Sequence, residues 1–302
     1  MATVLRIATR KSKLALWQAN FVKNAIEKEY PACKVQLIKI MTEGDRQQTI
    51  PLTHIGGKSV FVKALQKTLL NNEADIAVHS MKDMSVHQAK GLVIAAVLER
   101  ADPRDAFLSC KYSTIEALPQ GAIVGTASPR RTCLVKSMRP DIEIKLLRGN
   151  VDTRLAKLAR ADYDAIILAA AGLDRLDLFS QIRVRLSDEI FTPAIAQGAI
   201  AVECREEDDF SRDILQFLND EKTAACVSAE RAVNEIMGGD CHTAIGAYAK
   251  IMDNHLFLNA MIGSEKGETI LRASVEGNAC DAKIIGEQAA KMLLDQGAKQ
   301  FL

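Results

Sequence analysis

The chain has 302 residues, of which 48% are apolar and 25% charged, with a formal net charge of +1. That length supports two or three hydrophobic cores. No apolar run reaches the ~20 residues of a membrane span, so no membrane partner is expected. The near-zero total hides an uneven spread: residues 1–160 hold 26 Lys+Arg against 14 Asp+Glu, and residues 161–302 hold 13 against 24. A basic first half implies an anionic ligand there. Nucleic acid is not the expected partner, because the basic residues come in short groups at predicted helix starts and only 5% of residues are aromatic. The cysteines, Cys33, Cys110, Cys133, Cys204, Cys226, Cys241 and Cys280, are odd in number and none forms a CxxC pair, as in a reducing cytoplasm. Cys241-His242 is the only close Cys/His pair, so no metal site is expected. Residues 1–6 carry no basic flank leading into an apolar core, which again fits a cytoplasmic protein.

In chain order, apolar runs alternate with amphipathic stretches. The pattern predicts a strand over 3–9, a helix over 12–30, a strand over 35–41, a helix over 60–71, and strands over 76–79 and 92–98. Beyond Pro103 it predicts strands at 106–109, 123–126, 142–146 and 165–169, with helices at 129–138 and 151–160. This βαβ rhythm implies mostly parallel sheets covered on both faces. A strand over 199–204 precedes an acidic helix start at 206–209 and a helix over 223–237, stopped by Gly238-Gly239. Strands over 245–251, 256–262 and 270–275 then form an antiparallel meander, closed by a helix over 282–296. The expected architecture is two α/β domains and a smaller α+β domain, bounded at 1–98 plus 198–218, 104–192 and 221–302.

Three basic clusters stand where a predicted strand meets a predicted helix. In Thr126-Ala127-Ser128-Pro129-Arg130-Arg131, Ser128 can cap and Pro129 takes the first helical position. Two arginines in the first turn oppose the helix dipole by ~0.3–1 kcal/mol each. A carboxylate or phosphate ligand reverses that sign; the alternative is that they merely pair with surface acids. Leu147-Arg148-Gly149-Asn150 repeats the arrangement, with Asn150 as cap and Arg154 one turn in, and Arg10-Lys11-Ser12-Lys13 opens the first helix. Clusters at the C-terminal ends of parallel strands fit a ligand crevice, and arginine binds carboxylates in bidentate fashion. His79-Ser80-Met81-Lys82-Asp83 sets a carboxylate beside a cation at a strand end, suited to steadying a developing cation or relaying a proton, or simply a solvated turn. His79 itself reads as a packed histidine. Gly238-Gly239-Asp240-Cys241-His242 places a cysteine in a loop, either a reactive thiol or an inert small hydrophobe.

Together these segments resemble the porphobilinogen deaminase family. The match runs through Leu5-Arg6-Ile7-Ala8-Thr9-Arg10, Leu14-Ala15-Leu16-Trp17-Gln18, Gly56-Gly57-Lys58, residues 74–83, Asp102-Pro103-Arg104-Asp105-Ala106-Phe107, Leu147-Arg148-Gly149-Asn150, Gln197-Gly198-Ala199 and the Cys241 loop. The resemblance implies two periplasmic-binding-protein-like α/β domains and a third α+β domain with a three-stranded antiparallel sheet. It implies a transferase that joins four porphobilinogen molecules head to tail into hydroxymethylbilane with loss of ammonia, in heme biosynthesis. It implies a dipyrromethane cofactor bound covalently to Cys241, and a monomer in the cytoplasm. Asp83 matches the catalytic aspartate. Arg10, Lys82, Arg130, Arg131, Arg148, Arg154 and Arg175 match carboxylate-binding residues. Ser12, Ser80, Thr126 and Ser128, with Gly149 of the LRGN motif, match cofactor- or substrate-contacting positions. The sequence departs from the family pattern at His54, Ser59, Ala127, Pro129, Asp240 and His242. A dicarboxylate-binding module is the rival reading; it accounts for two lobes and an anion crevice, but not for Cys241 and a third domain.

Overall fold

The computed structural model describes residues 3–41, 59–239 and 242–302. The Gly56-Gly57-Lys58 segment, Asp240 and the expected attachment residue Cys241 lie outside the described residues. The chain divides into two compact units, Met1–Arg100 with Ala199–Ala224, and Ala101–Gly198 with Ala225–Leu302.

In the first unit the chain forms β1 (Thr3–Arg10), α1 (Lys13–Glu29), β2 (Cys33–Ile40), α2 (Ser59–Leu70), β3 (Ile76–Ser80) and β4 (Leu92–Val97). It enters the second unit through β5 (Asp105–Leu108), then β6 (Ile123–Thr126), α3 (Pro129–Met138), β7 (Glu143–Leu146), α4 (Val151–Ala159), β8 (Ala165–Ala169), α5 (Ala170–Asp174) and the short β9 (Val184–Arg185). It returns to the first as β10 (Ile200–Arg205) and α6 (Asp209–Leu215). It ends with α7 (Glu221–Met237), the strands β11 (Ala244–Met252), β12 (His255–Gly263) and β13 (Ile270–Asn278), and α8 (Ala282–Asp295).

Two five-stranded sheets result, in the orders β2-β1-β3-β10-β4 and β7-β6-β8-β5-β9, beside a three-stranded sheet β11-β12-β13. The fold class is therefore the expected one, α/β with a separate antiparallel C-terminal sheet. The expectation of mostly parallel sheets holds for strand direction: in each five-stranded sheet four of the five strands run the same way and one interior strand opposes them. β1 runs parallel to β2 and β3, but β10 is antiparallel to both β3 and β4. Likewise β6 runs parallel to β7 and β8, while β5 is antiparallel to β8 and β9. Strands buried on both faces read as plain apolar runs in either direction, so periodicity does not reveal which way they point.

Alternation along β1 explains the layering. Leu5 and Ile7 meet Ala19, Val22 and Ile26 of α1 on one face, and Ala8 meets Leu65 and Leu69 of α2 on the other. In the second unit Val124 and Ile167 pack under Cys133 and Leu134 of α3, while Ile166 and Leu168 pack with Leu158 of α4. The C-terminal sheet buries Ala247, Leu258 and Ala260 against Val233 of α7 and Ile285 and Leu293 of α8. The buried Glu230 of α7 accepts hydrogen bonds from the Ala249 amide at 2.8 Å and from the Ala196 amide at 2.6 Å. Ala196 has φ +57°, a left-handed conformation costly for a residue with a Cβ, so this bond holds a strained turn in place.

Helix α8 crosses α7 at close range. A Cβ at Gly286 would collide with the Ala229 carbonyl oxygen and lie 2.7 Å from Ala232 Cβ. Gly286→Ala is therefore expected to destabilise the protein by about 1–3 kcal/mol, read as a lower midpoint in chemical denaturation. An unchanged midpoint would mean that the two helices part without cost.

Candidate active site

In the first unit, β1 and β3 are parallel neighbours, so Arg10 and the turn after Ser80 come to the same edge of the sheet. Ser12 caps α1, accepting from the Ala15 amide at 3.3 Å. Met81–Asp83 forms a single 3₁₀ turn directly after β3. Arg10, Ser12, Gln18, Phe61, Ser80 and Asp83 line a cavity of ≈ 90 Å³. Lys82 lies in the same turn but is not one of its lining residues. Ser80 and Gln18 are hydrogen-bonded at 2.9 Å, and the Arg10 guanidinium carbon stands 3.8 Å from the centre of the Phe61 ring. That cation–π contact holds the guanidinium over the ring. Asp83, by contrast, makes no hydrogen bond or ion pair to any described residue. An acceptor thus stands beside a cation that it does not bind, in a hollow with both polar and apolar walls.

The second unit gathers its cluster in the same manner. β6, β7 and β8 are parallel, and their ends lead to Ser128, Arg148 and Arg175 respectively. Ser128 caps α3 by accepting from the Arg131 amide at 3.4 Å, with Pro129 in the first turn, and Thr126 Oγ1 accepts from the Ser128 amide at 3.1 Å. Asn150 stands at the N-cap of α4 but makes no side-chain cap bond, and Arg154 Nε donates to the Gly149 carbonyl at 2.7 Å. Gly149 has φ +114°, and a Cβ there would lie 2.8 Å from Thr153 Cγ2, so this turn requires glycine.

Arg130 and Arg131 are buried, and both are bound to a carboxylate of the protein. Arg130 Nη2 donates to Asp105 Oδ2 at 2.7 Å, and its Nη1 to the Thr192 carbonyl at 2.6 Å. Arg131 donates to Asp105 Oδ1 from Nη2 at 2.6 Å and from Nε at 3.0 Å, and to the Ile167 carbonyl at 2.9 Å. Gln197 Nε2 adds a bond to Asp105 Oδ1 at 3.0 Å. Burial alone would raise the Asp105 pKa; the charges of Arg130 and Arg131 and the Gln197 hydrogen bond outweigh it and hold the carboxyl at about 2. One carboxylate between two guanidinium groups leaves a residual charge of about +1 facing this edge. Arg175 Nη2 donates to the Gly198 carbonyl at 2.7 Å; burial, only partly opposed by Asp174, pulls its pKa down to about 10.

Arg148 differs in having no carboxylate beside it, although Arg130 Nε likewise lacks a hydrogen-bond partner among the described residues. Arg148 is 8% exposed, its Nη1 has no hydrogen-bond partner among the described residues, and burial lowers its pKa with no carboxylate to offset the effect. A buried guanidinium nitrogen left unpaired costs ~1–3 kcal/mol or more, a cost that an anionic ligand would remove. Several contributors escape sequence reasoning. Asp105 lies 25 residues before Arg130 and Gln197 lies 66 after Arg131. Phe61 and Gln18 carry no chemical signal of their own; Gln18, Asp105 and Gln197 do fall in segments that carry the resemblance.

Residues 5–213 match the family described as "Porphobilinogen deaminase, dipyromethane cofactor binding domain", and residues 224–295 match "Porphobilinogen deaminase, C-terminal domain". The chain belongs to the porphobilinogen deaminase family. Its reaction is the polymerisation of porphobilinogen in tetrapyrrole biosynthesis, and its cofactor is a dipyrromethane. Pyrroles with acetate and propionate arms fit the residues found here, since the buried Nη1 of Arg148 is a donor awaiting an anion. Among solved structures, a nutrient binding protein from Burkholderia cenocepacia bound to methionine is 15% identical, over 71% of this chain and 90% of its own, with a TM-score of 0.46. The periplasmic aliphatic sulphonate binding protein SsuA from Escherichia coli is 15% identical, over 78% and 70%, with a TM-score of 0.40. At such values these proteins say nothing of what this chain binds. No helix among the described residues is long and apolar enough to cross a membrane.

Asp105 gives a test with a defined sign. Its folded-state pKa of about 2 lies below the ordinary 3.8, so the triad's stabilisation is complete above pH ~4 and is lost as the pH falls toward 2. Asp105→Asn should cost about 3–5 kcal/mol at neutral pH, because it strands two buried cations. It should also remove the pH dependence that Asp105 contributes between pH 4 and 2. Urea unfolding of both proteins across that range measures it, and parallel curves would show that the triad contributes nothing.

Proposed function

We propose that Asp83 is the catalytic carboxylate of this transferase, that Cys241 carries the dipyrromethane through a thioether, and that the arginines of the two units hold pyrrole carboxylates. The observation that carries this reading is the cavity in which Asp83, bonded to no described residue, stands with the Phe61-stacked Arg10. When bound, the dipyrromethane supplies the nucleophilic pyrrole carbon on which the chain is built. Arg10 attracts an acetate or propionate of the incoming porphobilinogen, and Ser12 and Ser80 offer hydroxyl groups to its polar edges. As ammonia leaves, positive charge develops on the substrate pyrrole, and the Asp83 carboxylate stabilises it and its N–H. After the new carbon–carbon bond has formed, the same carboxylate accepts the proton released at the coupled carbon. In the second unit Arg148 presents its unpaired nitrogen to a carboxylate, and Thr126, Ser128 and Arg154 lie on the same edge. Arg130 and Arg131, held by Asp105, supply residual positive charge and Arg175 a further cation, so the growing polyanion meets several weak fields rather than one strong pair. Lys82, beside Asp83, adds to the field in the first unit. The product is hydroxymethylbilane. The enzyme acts as a cytoplasmic monomer, with no nucleic-acid partner and with 221–302 as a distinct third domain.

Three measurements test this. The mass of the purified protein should exceed the sequence mass by one dipyrromethane, and Cys241→Ala should remove that excess; an unmodified wild-type chain would favour the dicarboxylate-binding reading. Asp83→Ala should lower kcat by roughly 10²–10⁴ while the thermal midpoint stays near that of the wild type, and normal turnover would remove Asp83 from the mechanism. Arg148→Ala should impair cofactor assembly or elongation without lowering stability, since it deletes an unsatisfied buried donor. An unchanged product profile would take Arg148 out of the site.

A further inference from the structure

Beside the first-unit cavity lies a buried titratable pair that the chemistry above does not use. Glu203, on β10, has no exposed surface. Its Oε2 is 3.1 Å from Nε2 of the buried His79 on β3, and its Oε1 accepts a hydrogen bond from Gln66 Nε2 of α2 at 2.9 Å. One carboxylate therefore ties a helix and a strand to a third element, across 137 and 124 residues of sequence.

The apolar contacts of α2 are made by Leu65 and Leu69 in a cluster with Ala8, Ala74, Ala77 and Leu92, flanked by Ile38 and Ile40. Such packing holds the helix down but is non-directional, and a small slide or roll changes its energy little. Hydrogen bonds to a buried carboxylate are directional and costly to leave unmade, so they select one position of the helix. Two cavity groups lie next to these bonds. Phe61 lies on α2 five residues before Gln66 and holds its ring over Arg10. Asp83 follows His79 by four residues, across the single turn that ends β3. Val62 and Leu65 of the same helix also line the cavity.

We propose that Glu203 is a positioning residue for the reaction: through Gln66 and His79 it fixes α2 against β3, so that Phe61 holds Arg10 at the substrate carboxylate and Asp83 faces the same hollow. The proposal rests on reading Arg10 and Asp83 as substrate-handling groups. Gln66→Met keeps the side-chain length and deletes the donor. In the purified holoenzyme it should raise the KM for porphobilinogen roughly fivefold while kcat changes by less than about twofold. Amide exchange in residues 61–70 should quicken by a similar factor. Combined with Phe61→Leu, its effect on KM should be far less than the product of the two single effects, because both act through the seating of Arg10. Glu203→Gln should raise KM in the same way; should that protein fail to fold, the half-buried Gln66 still decides the matter. If Gln66→Met only lowers the melting temperature, with KM and exchange unaltered, or if its effect on KM multiplies fully with that of Phe61→Leu, the positioning role is overturned. Asp83→Ala separates this failure from the other: full turnover there would sink the reading of the site, whatever Gln66 does.

Discussion

The second unit is organised around one carboxylate held between two guanidinium groups. Helix α3 starts Pro129-Arg130-Arg131, with no acid in its first turn, so its own sequence sets two cations against the positive end of its dipole. Asp105, fully buried, supplies the missing charge. It can do so because β5 runs antiparallel to β8: Asp105 pairs with Ala169, which places the first residue of one strand at the edge where the other ends. Were β5 parallel, its first residue would lie at the far end of the sheet and the arginines would face each other unscreened. Strand direction here is an electrostatic matter as much as a topological one.

The first unit uses its antiparallel strand in a related way. β10 carries Glu203, which is as completely buried as Asp105 and equally committed to side chains from neighbouring βα elements. In each sheet the strand by which the chain enters from elsewhere brings a carboxylate into the interior, and the parallel strands bring the groups that it orders. A third buried acid, Glu230, does the same with backbone amides, pinning the left-handed Ala196 and the C-terminal sheet to one helix. Charged residues are rarely so deeply buried unless paired or hydrogen-bonded, and here each is a junction between segments distant in sequence.

These junctions mark the limit of what was legible in the sequence. Helices and strands were readable because burial repeats every two or 3.6 residues, and chemistry-bearing turns were readable because Ser-Pro-Arg-Arg and Leu-Arg-Gly-Asn place special residues at strand ends. The partners were not. Nothing local to Asp105 points to Arg130, and nothing near His79 names Glu203, because those contacts are made by chain topology. A histidine after an apolar strand reads as packed, and it is buried, yet the carboxylate that makes it consequential lies more than a hundred positions away. The direction of β5 and β10 was likewise hidden, since Ala-Phe-Leu or Ile-Ala-Val suits either orientation. Conversely, Asn150 stands at the N-cap position of α4 as its place in the sequence implies, but its side chain makes no cap bond. Cys241 itself lies outside the described residues, so its place in the chemistry rests on the family pattern.

The interior position of β10 has a consequence for how the chain is made. β3 and β4 are separated by a strand that emerges from the ribosome about a hundred residues after them. Until residues 200–205 have been synthesised, the inner edges of β3 and β4 have no strand to bond to, and the sheet that bears Asp83 cannot close. All five strands of the other sheet are complete by residue 185. Synthesis therefore delivers the later-encoded sheet first, while the earlier-encoded one waits with open edges, the state in which nascent chains most need a chaperone.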